Sequence, residues 1–194
     1  MFDKKKGEYQ YLKKMPVRQG LLTLGMLILS GGVFGLGYYL TKDVKNLLTV
    51  VAVLGMLPAA KSLVSMIMYM KAEKFTCSDE LHQEIVRLGV EPGAKYPYGY
   101  DFYITAYDKS FPIAFVIVKM GLLIAYTETD KCDVKAAKKH IEEYMAKNGI
   151  SNVSVKIIRE KDKFLTRLES LLEDDTETTN DELAAYKLIC NLSL

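Results

Sequence analysis

The sequence predicts a membrane protein in two parts: a two-helix transmembrane hairpin followed by a small cytoplasmic α/β (α+β) domain of order α-β-β-β-α-β-α-α. Only four charged side chains occur between residues 20 and 70. Charged side chains are frequent from residue 71 onward. Over that second part, apolar positions alternate between the spacing of strands and that of helices. The chain is therefore expected to meet two different solvents.

The same changes in composition predict where the parts begin and end. We divide the chain into a basic cytoplasmic N-terminus (1–18), a transmembrane hairpin (19–70), a cytoplasmic α/β domain (75–173), and an acidic linker with a C-terminal helix (174–194). The soluble part is long enough to bury one small core.

The first predicted span covers residues 19–40, "QGLLTLGMLILSGGVFGLGYYL", and has no charged side chain. This length suffices to cross a hydrocarbon core of about 30 Å. It is too long for the apolar region of a signal peptide and lacks a small-residue cleavage site. A very short connection leads to the second span, residues 46–70. The two spans therefore predict a helical hairpin.

The positions of the basic residues predict the orientation of the hairpin. A group of six basic side chains precedes the first span: Lys4, Lys5, Lys6, Lys13, Lys14 and Arg18. The excess of lysine and arginine favours the cytoplasmic side, so both termini are expected in the cytoplasm and the hairpin in the cell (inner) membrane. A bilayer with anionic lipids is the expected partner, at about 1 kcal/mol per basic residue near the surface.

Lys61 is a charge within the second span, three residues after Pro58. Two interpretations remain open. The lysine stem can extend to anionic headgroups at the cytoplasmic interface, or the ammonium can contact another protein. Its helical position predicts that it points away from the seam between the two spans.

Small residues recur on both spans and predict close helix packing. They are Gly31 and Gly35 on the first span, and Ala52, Gly55, Ala59 and Ser62 on the second. In an antiparallel hairpin centred on residue 43, Gly31 lies level with Gly55. Packing within the hairpin is one interpretation, and homo-oligomerisation through one of these faces is the other.

The soluble part reads as eight elements in order. A helix is expected after "TCSD" (76–79) and ends before Gly89. Three strands follow, at 101–107, 113–119 and 122–128, the last two joined by a tight Met120-Gly121 turn. A helix at about 131–148, a strand at 152–159 and a helix containing Phe164 to Leu172 come next. A capping box of Thr179 and Glu182 begins the last helix.

A group of tyrosines is the clearest candidate for a partner-binding surface: Tyr96, Tyr98, Tyr100, Tyr103 and Tyr107. Tyrosine is enriched at protein interfaces because its ring is large, rigid and amphipathic. The alternative is that these rings cover a sheet face beneath a helix. The two histidines, His82 and His140, lie off the apolar helix faces and are expected to be solvated.

The order α-β-β-β-α-β resembles the core of the PD-(D/E)xK nuclease-like fold. Such enzymes place an acid on the second core strand and an acid-x-lysine on the third, to hold Mg²⁺ and activate water. Here "IAFVIVK" (113–119) has no acid, and Lys131 is three rather than two residues beyond Glu128. The least implausible catalytic residues are then Asp101, Asp108, Glu128 and Lys131.

Other chemistry finds little support in the sequence. The chain contains no HExxH, GxSxG, P-loop or GxGxxG motif. Its three cysteines form no CxxC pair, so neither a disulfide framework nor a metal site is expected. No cofactor is expected. Residues 71–194 carry 17 basic and 21 acidic side chains, which argues against a nucleic-acid partner.

The basic start, "NLLTVVAVLGMLPAAKS" in the second span, "YITAYDKSF" and "TDKCD" before a helix resemble a family of small two-span membrane proteins from Gram-positive anaerobic bacteria. The resemblance covers nearly the whole chain. Some members are labelled O-linked GlcNAc transferase-like. Such transferases join helical repeats to a large two-lobed nucleotide-sugar domain, and neither fits in the ~115 residues of the soluble part. The resemblance implies no functional residue.

These observations favour a bacterial integral membrane protein whose cytoplasmic domain binds a protein partner or scaffolds an assembly. An enzyme is the less favoured interpretation. The alternative function is a membrane-tethered hydrolase, with a degenerate PD-(D/E)xK nuclease-like domain.

Overall fold

The structure, a computed structural model, describes residues 6–107, 109–174 and 176–194. Two compact units are present. One is a helical hairpin within residues 12–73. The other is an α/β domain formed by residues 74–194 together with the N-terminal segment that ends at Tyr11.

The hairpin consists of α1 (Tyr11–Thr41) and α2 (Leu47–Ala72). Asn46 caps α2, where its side chain accepts a hydrogen bond from Thr49 N at 2.8 Å. Helix α1 begins eight residues before the predicted first span, so its first two turns carry basic side chains. Both helices are long and apolar enough to cross a membrane, and only 17% and 11% of their most apolar stretches are buried.

Polar and small side chains form the seam between α1 and α2. Ser62 Oγ donates to Gln19 Oε1 at 2.9 Å. Farther along, a Cβ added to Gly55 would lie 2.8 Å from Ser30 Oγ. Such contacts let helices associate where apolar burial gives no advantage over lipid. The two helices are therefore antiparallel neighbours, as the sequence predicts.

After a short 3₁₀ turn (Glu73–Phe75), the domain runs through α3 (Asp79–Arg87), β1 (Tyr98–Thr105), β2 (Ser110–Lys119), β3 (Leu122–Tyr126), α4 (Val134–Lys147), β4 (Ser154–Ile158), α5 (Lys161–Leu172) and α6 (Asn180–Leu192). This is the predicted order of elements. The four strands form one mixed sheet in the order β1-β2-β3-β4, with only β3 and β4 parallel.

The sheet has an apolar core on each face. On one face, α4 and α6 contribute Ile141 and Ile189 to a cluster with strand residues such as Val116. On the other, Leu81 of α3 and Phe164 of α5 pack in a second cluster. Strand β2 is almost wholly buried and lies between β1 and β3.

Three local predictions can be compared with the structure. The Met120-Gly121 turn is present, and both residues have positive φ, as a tight hairpin requires. The capping box of Thr179 and Glu182 is also present. Helix α3 does begin at the TCSD motif (76–79), but Ser78 rather than Thr76 is its N-cap, because Ser78 Oγ accepts from Leu81 N.

Strand β1 changes faces at Asp101. Tyr100 packs in one core and Phe102 in the other, although residues two apart in a regular strand share a face. Asp101 lies between them with φ 59° and is 2% exposed. Its Oδ1 accepts a hydrogen bond from Cys77 N at 2.7 Å. The switch turns Tyr100 towards α3.

Candidate functional site

The N-terminal segment that precedes α1 is part of the α/β domain and docks on the edge of β1. Gly7 forms an antiparallel bridge with Tyr100, and Tyr100 N donates to Gly7 O at 2.8 Å. Lys6 Nζ donates to Cys190 O at 3.2 Å and to Ser193 O at 2.8 Å, at the C-terminus of α6. A cation at this position satisfies carbonyl groups that end a helix without partners.

Tyr9 holds the same segment against α3. Its ring stacks on His82 with 3.7 Å between centroids and 5° between the planes. The Tyr9 hydroxyl donates to Asp79 Oδ1. Burial and this hydrogen bond raise the pKa of Tyr9 to about 12. Segment 6–9 is therefore fixed by backbone, ring and side-chain contacts together.

Two glycines allow the backbones of the segment and of β1 to meet around the hydroxyl of Tyr186. A Cβ at Gly99 would lie 2.6 Å from Tyr186 Oη and 2.9 Å from Gly7 Cα. A Cβ at Gly7, which has φ 90°, would also collide with Tyr186 Oη. Only glycine fits at both positions.

A cavity of about 550 Å³ lies where this segment meets the rest of the domain. This volume lies within the range of small-molecule binding sites. We call it the tyrosine cavity. Its walls are four tyrosine rings, one imidazole, small apolar side chains and the segment itself: Lys6, Gly7, Glu8, Tyr9, His82, Val86, Val90, Pro92, Tyr98, Tyr100 and Tyr186.

The rings of the tyrosine cavity stand at steep angles to one another. Tyr98 and Tyr100 are perpendicular, with centroids 6.1 Å apart. Tyr9 meets Tyr100 at 72° and 5.7 Å. Such walls offer both ring faces and ring edges, which are the two surfaces that another aromatic ring prefers.

The hydroxyl groups of the cavity differ in their partners. Tyr100 is 4% exposed, and its hydroxyl has no hydrogen-bond partner among the described residues. Tyr98 is half-buried and lines the cavity. Desolvation raises the pKa of both phenols. Both groups therefore stay neutral and keep their protons at physiological pH.

A second, smaller cavity of about 230 Å³ contains two of the residues predicted for hydrolase chemistry. Glu128 and Lys131 line it together with Lys74 and three threonines. Both carboxylate oxygens of Glu128 are engaged by Ser78: Oε2 accepts from Ser78 N at 3.0 Å and Oε1 from Ser78 Oγ at 2.6 Å. Glu128 thus fixes the start of α3.

The other nominated catalytic residues do not complete a site. Asp101 accepts from the amide of Cys77, next to Ser78, so it too supports the start of α3. Asp108 lies outside the described residues. No group of three or more His, Cys, Asp or Glu side chains within 6–107, 109–174 and 176–194 is placed to hold a metal ion.

The predicted tyrosine surface divides into separate environments. Tyr98 and Tyr100 line the cavity. Tyr96 lies under Lys119 Nζ, 5.1 Å from its ring centroid. Tyr103 donates to Ser110 Oγ at 2.9 Å and stacks on Phe75, whereas Tyr107 is fully exposed. Tyr100 packs beneath α3, so part of the group follows the alternative that the rings cover a sheet face.

The basic residues that were predicted to lie at the membrane interface also occupy different environments. Lys4 and Lys5 lie outside the described residues. Lys6 was predicted to contact the membrane, but its ammonium binds the end of α6. The side chains of Lys13, Lys14, Arg18 and Lys61 are all exposed on the hairpin. Lys61 is thus off the seam, as its helical position predicts.

The small residues of the hairpin follow the prediction on α2 but not on α1. Ala52, Ala59 and Ser62 are buried, and Gly55 faces Ser30. Gly31 and Gly35 are exposed and have no side chain of the other helix within 4 Å of an added Cβ. The prediction that Gly31 and Gly35 pack inside the hairpin is therefore wrong. Gly37 and Ser30 take that place.

Sequence reasoning missed Tyr9, His82 and Tyr186. The histidines were expected to be solvated, but His82 lies between Tyr9 and Tyr100, and His140 packs against Phe111 and Tyr144. A usable signal was "KGEYQY" (6–11), where a glycine and two tyrosines interrupt an otherwise basic stretch. Basic tails that only contact lipid need neither.

Comparison with protein-family models, curated proteins and solved structures finds no match for this chain. The resemblance to a family of two-span membrane proteins stays a prediction. The function has to be argued from the geometry of the two units.

Proposed function

We propose that this protein is a bacterial inner-membrane protein whose hairpin anchors an α/β binding domain, and that the domain binds a protein partner through the tyrosine cavity. The observation that carries the proposal is the cavity itself. It is the size of a ligand site, is built from rigid aromatic side chains and contains a buried phenol hydroxyl, that of Tyr100, which no described residue engages.

The two helices support the anchor. At 1.5 Å per residue, α1 and α2 extend about 46 and 39 Å, more than a hydrocarbon core of about 30 Å. Their exposed surface consists largely of leucine, valine and isoleucine side chains. A buried core helix of a soluble protein would hide these side chains.

The docked N-terminal segment supports the topology. Residues before α1 and residues after α2 belong to one compact unit. This grouping supports the proposal that the two ends of the hairpin lie on the same side of the membrane. With the excess of basic residues near both ends, that side is the cytoplasm. Both termini are cytoplasmic in this proposal.

Site-specific photo-crosslinking tests the partner. p-Benzoylphenylalanine replaces Tyr98 in the full chain, expressed in its own membrane. The matched control carries the same group at Tyr107, which is fully exposed and outside the cavity. We expect a discrete protein adduct from position 98 and none from position 107. Equal adducts at both positions, or no adduct at position 98, would refute a partner in the cavity.

A reporter tests the orientation. A fusion after Leu194 that is active only in the cytoplasm should be active, and a reporter that is active only outside should be silent. The opposite result would place the domain outside the cell.

A membrane-tethered hydrolase is the second candidate, because Glu128 and Lys131 do line one cavity. Its test is Mg²⁺-dependent cleavage of nucleic acid by the full-length protein. Activity that Glu128→Ala abolishes would favour the hydrolase. Full activity of that variant would remove Glu128 from any catalytic role. The engagement of both Glu128 oxygens by Ser78 makes a structural role the better supported one.

A further inference from the structure

The tyrosine cavity also indicates the chemistry of what it binds. We propose that the cavity takes an uncharged, planar ring that carries a hydrogen-bond acceptor, and that Tyr98 donates to that acceptor. The proposal rests on the proposed function and names the ligand chemistry of the same site. The ring can belong to a side chain of a protein partner or to a free small molecule, and the experiment separates the two sources.

The arrangement of the walls favours a planar ring. The stack of Tyr9 on His82 fixes one wall, and Tyr98 and Tyr100 form a perpendicular corner. A flat ring placed in this corner would meet one ring face-on and the other edge-on, which is the preferred geometry for aromatic contacts. Val86, Val90 and Pro92 complete an apolar lining.

The charges around the cavity disfavour an ionic ligand. Lys6 and Glu8 are the two residues of opposite charge in its wall. The Lys6 ammonium is already bound by the carbonyls of Cys190 and Ser193. Its positive charge also disfavours a quaternary ammonium ligand, which an aromatic cage otherwise attracts. Raised pKa values of Tyr9, Tyr98, Tyr100 and Tyr186, caused first by desolvation, show that these walls oppose negative charge.

The hydroxyl groups favour an acceptor on the ring. The Tyr9 hydroxyl already donates its proton to Asp79, so it cannot donate to a ligand. The Tyr100 hydroxyl is shielded and unpaired, and buried polar groups without a partner are rare in native proteins. Tyr98 is half-buried, so its hydroxyl is the one that an entering ligand can reach. A phenol that stays protonated is a donor.

Binding of three probes to the full chain in lipid nanodiscs tests the proposal. Coumarin is an uncharged fused ring with a carbonyl acceptor, naphthalene is a ring of similar size without an acceptor, and tetramethylammonium is a cation. We expect saturable coumarin binding, weaker naphthalene binding and no tetramethylammonium binding. Tyr98→Phe should weaken coumarin about two- to tenfold and leave naphthalene unchanged, the range of one neutral hydrogen bond. Tyr107→Phe is the control and should change neither.

Several results would overturn the proposal. These are no saturable binding of coumarin, saturable binding of tetramethylammonium in its place, or an equal loss of coumarin and naphthalene in Tyr98→Phe. A second variant, Val86→Trp, adds a large side chain to the cavity lining while position 98 stays a tyrosine, and should abolish coumarin binding. Coumarin binding unchanged in Val86→Trp would place the probe elsewhere and count against the site.

Competition distinguishes the source of the ring and separates this proposal from the proposed function. Coumarin that prevents the photo-crosslink at position 98 assigns the ring to the protein partner. Saturable coumarin binding without any protein adduct refutes the protein partner and assigns the cavity to a small molecule. The proposed function then fails, but the proposed ligand chemistry is retained. A protein adduct that persists while coumarin saturates the same position-98 variant supports a partner but refutes the ring chemistry.

Discussion

The two units of this chain distribute their side chains in opposite ways. In the hairpin, most large apolar residues are exposed, and glycine, alanine, serine and a glutamine side chain lie at the contact between the helices. In the α/β domain, large apolar residues fill a core on each face of the sheet. The α/β domain is therefore held together mainly by burial of apolar side chains, and the hairpin by the close approach of its two helices.

The largest expected effect comes from removing a large side chain from the domain core. Phe164 is fully buried, stacks on Tyr126 at 4.6 Å and meets Phe115 at 5.8 Å. Phe164→Ala should lower the free energy of unfolding of the domain by about 3–5 kcal/mol. Chemical denaturation followed by tyrosine near-UV circular dichroism measures the change.

The matched control lies in the hairpin. Leu29 is 70% exposed, so Leu29→Ala removes no buried contact. We expect Leu29→Ala to leave the unfolding of the domain unchanged. A loss comparable with that of Phe164→Ala would show that the two units do not follow separate packing rules.

The next effect tests the seam of the hairpin. Gly55→Leu places a side chain where Ser30 Oγ lies, and overpacking of this kind costs about 1–3 kcal/mol. Oxidative crosslinking of Gly20→Cys with Met66→Cys reports the contact far from the connecting loop. We expect Gly55→Leu to remove most of this crosslink.

Gly31→Leu is the control for the seam, because nothing lies within 4 Å of an added Cβ there. The crosslink within the hairpin should persist in this variant. An equal loss in Gly31→Leu would contradict the described seam. A change of oligomeric state with an intact hairpin would instead support the open alternative that the exposed GxxxG face joins two copies.

The sequence was sufficient for the elements whose cause is local. The period of apolar residues predicted the order of helices and strands, and short motifs predicted the Met120-Gly121 turn and the Thr179–Glu182 capping box. Glycine spacing on α1 indicated which faces can approach another helix. It could not indicate which face does, because the rotation of α1 depends on its partner.

The cavity could not be predicted for a related reason. Its walls come from the segment before α1, from α3, from β1 and from α6, which are distant in sequence. The face switch at Asp101, which turns Tyr100 towards α3, depends on a hydrogen bond to Cys77. Strand periodicity alone assigns Tyr100 and Phe102 to one face. The site arises from contacts that only the folded chain brings together.

A smaller effect is expected from a variant that tests whether the N-terminal segment before α1 belongs to the α/β domain. Gly7→Ala introduces a methyl group against Tyr186 Oη at a residue with φ 90°. Gly93→Ala is the matched control, since Gly93 has φ 96° and open space around it. Both variants share the backbone strain, but only Gly7→Ala should release the N-terminal segment from β1.

Hydrogen exchange at the Tyr100 amide measures this release, because Tyr100 N donates to Gly7 O. We expect Gly7→Ala to accelerate exchange about tenfold or more, which corresponds to about 1.4 kcal/mol of lost protection. Gly93→Ala should leave it unchanged. Equal exchange in both variants would show that the segment is not a working part of the domain.

The smallest effect is a pH dependence of the same docking. The pKa of Tyr9 is about 12 in the folded domain and near 10 for a free tyrosine. Because the folded pKa is the higher one, this contribution to docking is present below pH 10 and is lost as pH rises from 10 to 12. The Lys6 ammonium at the end of α6 has a pKa that is lowered first by desolvation, so it loses its proton at a lower pH than the one at which Tyr9 ionises.

The ring protons of His82 report the release, since the stacked Tyr9 ring shifts their NMR resonances. Tyr9→Phe keeps a ring on His82 and removes the ionisable hydroxyl, so it isolates Tyr9 from Lys6. We expect the His82 resonances of the natural chain to move between pH 10 and 12 further than those of Tyr9→Phe. Identical titrations would leave Lys6 as the cause. The N-terminal segment would then be held through the end of α6 rather than through α3.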